Sequence, residues 1–319
     1  MTLTAAYIVL LALLILYLWI RKKYPEVSLK HSVFEIRLGQ ENNAEEKTIE
    51  LYNLLAELKI PFTVEVILHE IGEEIRFFIT LNSKKAYKAK DAIFSIFPNA
   101  EVVYSPFQEL LADLHSEIRA VSLVQAKGVN LPIKVEKTDH FSPFQSFLRV
   151  LSELKSFNES AGLQLVVSPA GFAKSKQISM AIDALSNSDF DSAKHILDKD
   201  AIVTKQSLKI LEEKVSRPLF KVDAKIIFSS DNKERLDSIE EKIKSAFNQT
   251  ATGGPAYNNI EARRIVAPKN VIESFYKKEI NAKTPMLLNS AELSELFYFT
   301  GAKIEKMPKL SSVLENQRA

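Results

Sequence analysis

The sequence predicts an α+β fold in which an N-terminal transmembrane helix precedes two ferredoxin-like modules, the second with a helical insert. Three observations predict it: an uncharged apolar run near the start, two stretches that each follow the order β-α-β-β-α-β, and a polar helical stretch that interrupts the second of them. The expected segments are a transmembrane anchor at 1–23, module 1 at 31–105, a connector with the first strand of module 2 at 106–138, module 2 at 139–268 with its insert at 173–214, and a C-terminal short helix and tail at 269–319.

The anchor is predicted from the run between Leu3 and Ile20, which contains no charged residue. As a helix rising about 1.5 Å per residue, this run would be about 27 Å long, close to the roughly 30 Å hydrocarbon core of a bilayer. Trp19 lies near its end, where aromatic rings favour the headgroup region. A cleaved secretory signal and a buried core helix are the alternatives, but a signal would carry its basic residues before the apolar run.

The orientation of the anchor is predicted from the charges on either side of it. Arg21, Lys22 and Lys23 follow the run directly, and no Lys or Arg precedes it. Because basic flanks stay on the cytoplasmic side, we expect a single-pass protein of the cytoplasmic (inner) membrane, with its N-terminus outside and its body in the cytoplasm. Membrane lipid is then one expected partner.

Module 1 is predicted from its apolar periods, since alternation favours strands and a period near 3.6 residues favours helices. Pro61 and Pro98 end the two helical stretches. The predicted elements are a strand at 33–38, a helix at 45–58, a hairpin of strands at 62–68 and 75–81, a helix at 84–97 and a closing strand at 101–104. We expect a four-stranded antiparallel sheet with both helices on one face.

Module 2 is predicted from element order alone, since it shares no clear residue-level repeat with module 1. Its predicted elements are a first strand within 118–135, a helix at 144–157, a strand at 163–167, the polar helical insert, a strand at 220–228, a helix at 231–247 and a strand at 260–266. A short helix within 290–297 follows, and after Gly301 we expect an extended or poorly ordered end.

The charge balance and the lack of cysteine narrow the classes of function. The chain of 319 residues carries 42 basic and 40 acidic side chains, a net charge of +2, which is not the concentrated basic face of a direct nucleic-acid binder. With no Cys, the chain can form no disulfide, no thiolate metal site and no Cys nucleophile. Direct nucleic-acid binding is therefore not indicated.

The motifs predict no catalytic, cofactor-binding or metal-binding residues. His69-Glu70 lacks the second His of a zinc helix. The densest ligand-capable cluster lacks the glycine and closing Glu of a calcium loop, and we interpret it as a helix start with a solvated face. Its members are Asp189, Asp191, His195, Asp198 and Asp200.

Two other motifs have ordinary interpretations. The stretch from Pro169 to Ser175 ends in Lys-Ser after a strand, but it has one glycine at the wrong spacing for a phosphate-binding loop. A basic helix start is interpreted as a solvated face, with contact to anionic lipid or nucleic acid as the alternative. It consists of Lys84, Lys85, Lys88 and Lys90.

Five short strings occur in the order Leu131-Pro132-Ile133-Lys134, Phe141-Ser142-Pro143-Phe144, 162–169, 213–222 and 288–297. Together they resemble the membrane-anchored N-terminal region of conjugation-type (type IV secretion) coupling ATPases. In that family one or more transmembrane helices precede an α+β region, and a hexameric motor domain follows. Ser142-Pro143 replaces the Asp-Pro of the family, and Tyr298-Phe299 stands where its tail continues with His and Pro. The sequence holds no Walker A segment, so ATP hydrolysis is not carried over.

The resemblance implies a membrane-anchored, non-catalytic docking or accessory subunit of a type IV secretion or DNA-transfer-like machine. It would tether a P-loop motor ATPase supplied in trans, and formation of a homo-oligomer is left open. The alternative is a generic membrane-anchored scaffold or small-ligand sensor built of tandem ferredoxin-like domains. An enzyme is the third hypothesis, and it requires a deep polar pocket that gathers Asp139, His140 or the Asp189–Asp200 cluster with a base and its orienting partner.

Overall fold

The computed structural model describes residues 31–39, 41, 43–68, 75–105, 117–135, 142–154, 158–199, 202–248, 256–266 and 268–301. The strands are β1 (His31–Arg37), β2 (Phe62–Leu68), β3 (Ile75–Asn82), β4 (Glu101–Tyr104), β5 (Glu117–Gln125), β6 (Glu159–Pro169), β7 (Leu219–Ser230), β8 (Ile260–Arg264) and β9 (Met286–Asn289). The helices are α1 (Ala44–Glu57), α2 (Ala86–Ile96), α3 (Pro143–Ser152), α4 (Phe172–Ser186), α5 (Phe190–Leu197), α6 (Lys205–Val215), α7 (Lys233–Asn248), α8 (Pro268–Lys277) and α9 (Ser290–Ser294).

The strands of the described residues form one antiparallel sheet in the order β4-β1-β3-β2-β6-β7-β5-β8, with β9 also on β7. On one side of β7, β9 pairs with residues 219–222 and β5 pairs with residues 224–230. The middle of the sheet is the junction of β2 with β6, which runs from the pair Phe62–Val167 to the pair Leu68–Ala161. We call this junction the seam.

The predicted fold class, a transmembrane helix followed by two separate ferredoxin-like modules, is wrong. The predicted strands exist near their predicted positions, but β2 and β6 are hydrogen-bonded along all of β2, so the sheet does not stop between the two halves. Apolar alternation says which face of a strand is buried; it does not say which strand lies beside it. The predicted segment boundaries stay predictions.

The predicted anchor, with Leu3, Trp19, Ile20, Arg21, Lys22 and Lys23, lies outside the described residues. No helix in the described part of the chain is long and apolar enough to cross a membrane. The longest described helix, α7, has 16 residues with charged side chains along it, whereas a membrane span takes about 20 mostly apolar residues. The predicted single-pass architecture, with its inner-membrane location and cytoplasmic body, is therefore corrected: the described fold contains no spanning element.

One face of the sheet carries the main core. On β2 the side chains of Phe62, Val64, Val66 and Leu68 alternate onto this face, and all four are buried. Helices α1, α2, α3, α7 and α9 pack against it and supply most of the remaining core residues. Fully burying one such side chain stabilises the fold by roughly 1.5–3 kcal/mol, so this face is the main source of stability.

The opposite face of the sheet is mixed. Helix α8 crosses it and packs Val271 and Phe275 against Ile67 and Phe78 of the sheet. Polar side chains fill the positions between these apolar contacts. The insert, α4 to α6, has a third core, which it shares with Leu131, Leu219 and Leu287 of the body. Neither α8 nor β9 is predicted by the sequence pattern, because α8 covers a partly polar face and β9 is only four residues long.

Candidate functional site

The C-terminal segment is held in place by a buried ion pair between Lys214 of α6 and Glu292 of α9. Lys214 Nζ lies 3.0 and 2.8 Å from the two carboxylate oxygens and donates to the carbonyl of Leu287 at 2.8 Å. The side chains of Lys214 and Glu292 are 0% and 2% exposed. Burial lowers the pKa of Lys214, although the charge and hydrogen bond of Glu292 oppose that shift.

Glu292 also binds two backbone groups. The N–H of Ile133 donates to its Oε1 at 2.8 Å, and the N–H of Asn289 donates to its Oε2 at 2.7 Å. The Asn289 side chain accepts from the N–H of Glu292 in return, which makes a capping box at the start of α9. We call Lys214, Glu292 and the groups of Ile133, Leu287 and Asn289 the tail anchor.

Three of the five strings that carry the sequence resemblance meet at the tail anchor, through Ile133, Lys214 and Glu292. A fourth lies beside it, because the N–H of Phe144 donates to the carbonyl of Glu295 at 3.1 Å. These strings therefore share a structural role: they close the C-terminal segment onto the sheet and the insert. The resemblance itself stays a prediction.

The seam holds a second buried ion pair, on the face opposite the main core. Glu65 of β2 and Gln164 of β6 are register partners, and Gln164 Nε2 donates to Glu65 Oε1 at 2.7 Å. Lys278 Nζ donates to Glu65 Oε2 at 2.5 Å, and Gln164 Nε2 also donates to the carbonyl of Phe275 at 2.8 Å. Burial lowers the pKa of Lys278, against the opposing charge of Glu65. These contacts fasten the end of α8 across the seam.

Lys225 and Asp223 of β7 extend the polar set by one strand, since Gln164 and Lys225 are register partners. Asp223 Oδ2 accepts from the N–H groups of Asn281 and Ala282 at 2.8 and 3.0 Å. Lys225 Nζ lies 2.9 Å from the same oxygen. Lys225 and Asp223 therefore form an ion pair, but the geometry of their contact is not that of a hydrogen bond. We call Glu65, Gln164, Asp223, Lys225 and Lys278 the seam cluster.

Two atoms of the seam cluster are buried without a hydrogen-bond partner among the described residues, Lys225 Nζ and Gln164 Oε1. The amide orientation of Gln164 follows from its surroundings, because its nitrogen meets two acceptors. Two lysines face two carboxylates, so the cluster is balanced in charge while its hydrogen bonding is incomplete. Buried polar atoms of this kind are uncommon and weaken the region that holds them.

Glu35 of β1 continues the polar row across the sheet, since it pairs with Phe78, which pairs with Glu65. Arg37 Nε and Arg76 Nε donate to Glu35 Oε1 at 2.9 and 3.1 Å. Burial alone would raise the pKa of Glu35, but the hydrogen bonds from Arg76 and Arg37 outweigh it and the pKa is lowered. The row runs from β1 to β7 on one face, with Phe78 of β3 between Glu35 and Glu65.

The contacts of the seam cluster favour one pairing register of β2 on β6. A slip of one residue between β2 and β6 would separate Glu65 from Gln164 and turn the carboxylate toward the apolar core. An uncompensated buried charge destabilises a protein by several kcal/mol, so the alternative register is strongly disfavoured. The polar side chains of the seam cluster are buried against other residues of this chain. Their effect is therefore on how the sheet assembles.

The insert exposes apolar side chains on α4. Phe172 is 82% exposed and Met180 is 52% exposed, with the exposed Lys176 between them. The spacing of eight residues places the two apolar side chains about 12 Å apart along the same side of the helix. The other side of α4 carries Ile178, Ala181 and Leu185 into the core of the insert. We call Phe172, Lys176 and Met180 the α4 face.

The acidic cluster singled out in the sequence has local structural roles. Asp189 caps α5, and hydrogen bonds from the side chain of Ser192 and from its backbone N–H, the latter at 3.1 Å, lower the pKa of Asp189. Asp198 accepts from the N–H of Gly128, and His195 lies in the last turn of α5. In the described ranges no group of three or more His, Asp or Glu could hold a metal ion. The other predicted candidates, His69, Glu70, Asp139, His140 and Asp200, lie outside the described residues.

Sequence reasoning missed the seam cluster. Its signal is that Glu65, Gln164 and Lys225 each stand between two apolar residues of their own strand. In a strand with one solvated face, that pattern predicts exposed side chains. Only the arrival of α8 and of the residues that follow it, Lys278, Asn281 and Ala282, converts the positions into a buried set.

Comparisons with known proteins show no family. No family model matches the chain, and no curated protein matches it. Among solved structures, one similar chain is described as a novel heme-binding protein from Thermus thermophilus. It is 8% identical to this chain, and the match covers 77% of this chain and 94% of the other, with a TM-score of 0.17. A TM-score this low carries no argument. The predicted assignment to type IV secretion or conjugation gains no support here and is withdrawn, while the sequence resemblance stays a prediction.

Proposed function

We propose that this chain is a non-catalytic docking protein whose helical insert binds a P-loop motor ATPase supplied as a separate polypeptide. The observation that supports it is the α4 face, where the side chains of Phe172 and Met180 are largely exposed on a helix packed on its other side. Aromatic side chains and Met are enriched in protein interfaces. Covering such side chains removes apolar surface from water at roughly 25 cal/mol per Å².

The insert is held in one position on the body, which favours binding. Its last helix ends at the buried Lys214–Glu292 pair. At the other end of the insert, the N–H of Ala170 donates to the carbonyl of Leu219 at 2.7 Å. In its middle helix, α5, the carbonyl of Ile196 accepts from Asn130 Nδ2 of the body at 2.8 Å. A surface that is ordered before binding loses less conformational entropy when the partner arrives.

The motor ATPase is proposed as the partner because of the sequence resemblance, in which an α+β region of this kind precedes a motor domain. In the proposal the chain recruits and orients the motor, and the motor performs the hydrolysis. Lys176, between the two apolar side chains, favours an acidic residue at the edge of the motor's contact surface.

The test is recovery of a P-loop ATPase with the tagged full-length chain after crosslinking in its own cells, measured by quantitative mass spectrometry. The double variant Phe172→Glu, Met180→Glu places two charges on the α4 face, and we expect it to lower recovery at least about tenfold. Val266 is 96% exposed, so Val266→Glu is the matched control and should leave recovery unchanged.

Two results would overturn the proposal. One is that the unaltered chain recovers no P-loop ATPase under these conditions. The other is that the α4 double variant and the Val266→Glu control recover it equally well, because binding would then not pass through the α4 face.

A further inference from the structure

The end of α1 and the start of α2 bring several lysines together on the surface. Lys85 Nζ donates to the carbonyl of Lys59 at 2.9 Å, which joins the two segments. Lys59, Lys84 and Lys88 are exposed around this contact, and Tyr87 is 62% exposed among them. We call Lys59, Lys84, Lys85, Tyr87 and Lys88 the lysine patch. It lies at the end of α1 and the start of α2 and does not include the α4 face.

The charges of the lysine patch have no acidic partner among the described residues. Salt bridges engage many other cations of the fold, including both buried lysines of the seam cluster, but none of them involves Lys59, Lys84 or Lys88. Apolar surface accompanies the charge, because Leu58 is 37% exposed next to Lys59. Lys88 Nζ lies 6.0 Å from the ring centroid of Tyr87, which leaves that ring in a positive environment.

We propose that the lysine patch binds an acidic segment of a partner protein that also carries an apolar or aromatic residue. Unpaired ammonium groups attract carboxylates and speed their encounter, while the exposed ring of Tyr87 and the side chain of Leu58 provide apolar contact for one anchor residue. The surface differs from the α4 face, so this inference and the proposed docking of a motor can each fail alone.

An acidic peptide fits the surface better than a nucleic acid does. Glu57 comes two residues before Lys59 on α1, Asp91 comes three residues after Lys88 on α2, and both are exposed. They would repel a polyanion that continued past the lysines, because a nucleic-acid strand carries a phosphate at every nucleotide. A short acidic segment can end before it reaches them.

The test uses fluorescence anisotropy with the full-length chain and a fluorescein-labelled oligoglutamate peptide that has one central leucine. We expect the peptide to bind and the variant Lys84→Glu, Lys88→Glu to weaken its affinity at least about tenfold. Tyr87→Ala should weaken it about threefold, because the ring supplies apolar contact. Raising the salt concentration should weaken binding to the unaltered chain.

The matched control is Lys205→Glu, Lys209→Glu, which reverses two exposed lysines at the same spacing on α6. It changes the net charge equally and should leave peptide binding unchanged. Equal weakening by both variants would overturn the inference, since attraction would then come from overall charge. Failure of the peptide to bind, or tighter binding of oligothymidylate or of phosphatidylglycerol vesicles, would also overturn it. The α4 double variant should bind the peptide normally, which separates this result from the test of the motor.

Discussion

The tail anchor and the seam cluster both bury a lysine–glutamate pair, but they satisfy its hydrogen bonds in different ways. At the tail anchor, Glu292 accepts from two backbone N–H groups as well as from Lys214. At the seam, Glu65 accepts from the side chains of Gln164 and Lys278, and two neighbouring polar atoms have no hydrogen bond in the described structure. A carboxylate bound by backbone is tied to the fold itself, whereas one bound by side chains can be exchanged together with its partners.

The difference matters because a buried ion pair is costly to form and far more costly to break on one side. Such pairs are best understood as devices that select one arrangement of the chain. The tail anchor selects the position of α9 against the insert, and the seam cluster selects the register of β2 on β6. The comparison predicts that substitutions at the two places will differ in size and in whether a second substitution can compensate.

The largest effect is expected at the tail anchor. Lys214→Met should lower the free energy of unfolding by about 3–5 kcal/mol, because it leaves the charge of Glu292 buried without its cation. Urea denaturation followed by circular dichroism measures the loss. Lys209→Met on the exposed side of the same helix is the control and should change stability by no more than about 0.5 kcal/mol. A loss below about 1 kcal/mol for Lys214→Met would contradict this account of the tail anchor.

A smaller effect, with compensation, is expected at the seam. Lys278→Met should lower the free energy of unfolding by about 2–3 kcal/mol, and adding Glu65→Gln should return at least about 1 kcal/mol. The added glutamine keeps an oxygen that can accept from Gln164 and removes the buried charge.

The same pair of changes at the tail anchor provides the contrast. Adding Glu292→Gln to Lys214→Met should return no stability, because one amide N–H of the new side chain would face the N–H of Ile133 or Asn289. Equal compensation at both places, measured in the same denaturation series, would remove the distinction between backbone-bound and side-chain-bound carboxylates.

The smallest effect is expected at Glu35, at the outer end of the polar row, and it depends on pH. The folded-state pKa of Glu35 is below its usual value of 4.5, so its contribution to stability is present above pH 4.5 and is lost as the pH falls through the lowered value. Glu35→Gln should therefore lower stability at neutral pH and lower it less at about pH 3. Denaturation midpoints at the two pH values measure this.

A matched control exists for Glu35 on another strand. Glu261 pairs with Arg263 two residues along β8, as Glu35 pairs with Arg37, but its side chain is 45% exposed. Solvent screens such a pair, so Glu261→Gln should change stability little at either pH. An equal pH dependence for both variants would show that burial of Glu35 has no part in the effect.

Local elements of the fold follow from the sequence. The predicted helix at 45–58 corresponds to α1, Ala44–Glu57, and the predicted strand at 75–81 corresponds to β3, Ile75–Asn82. Asn82 accepts from the N–H of Lys84 and caps the turn that leads into α2. Such features depend on residues close together in the chain, so apolar period and turn chemistry are sufficient to predict them.

The candidate sites could not be predicted from the sequence in the same way. The pairs of the seam cluster and the tail anchor join residues far apart in sequence, as Glu65 with Lys278 and Lys214 with Glu292 do. Each of these side chains, taken alone in its own element, is typical of a solvated position. Phe172 is the reverse case: an aromatic residue at the start of an amphipathic helix favours burial, and the structure leaves it 82% exposed.

The sequence by itself determined where most helices and strands of this protein form, and which face of each strand is apolar. Only the tertiary structure decided that β2 lies beside β6, that a single sheet replaces two modules, and that α8 covers the polar face. The physical reason is that the backbone hydrogen bonds of a strand are the same with any neighbour, so they carry no information about which neighbour it has. The neighbour is chosen by side-chain contacts such as Glu65 with Gln164 and Lys278, which exist only after distant parts of the chain have met.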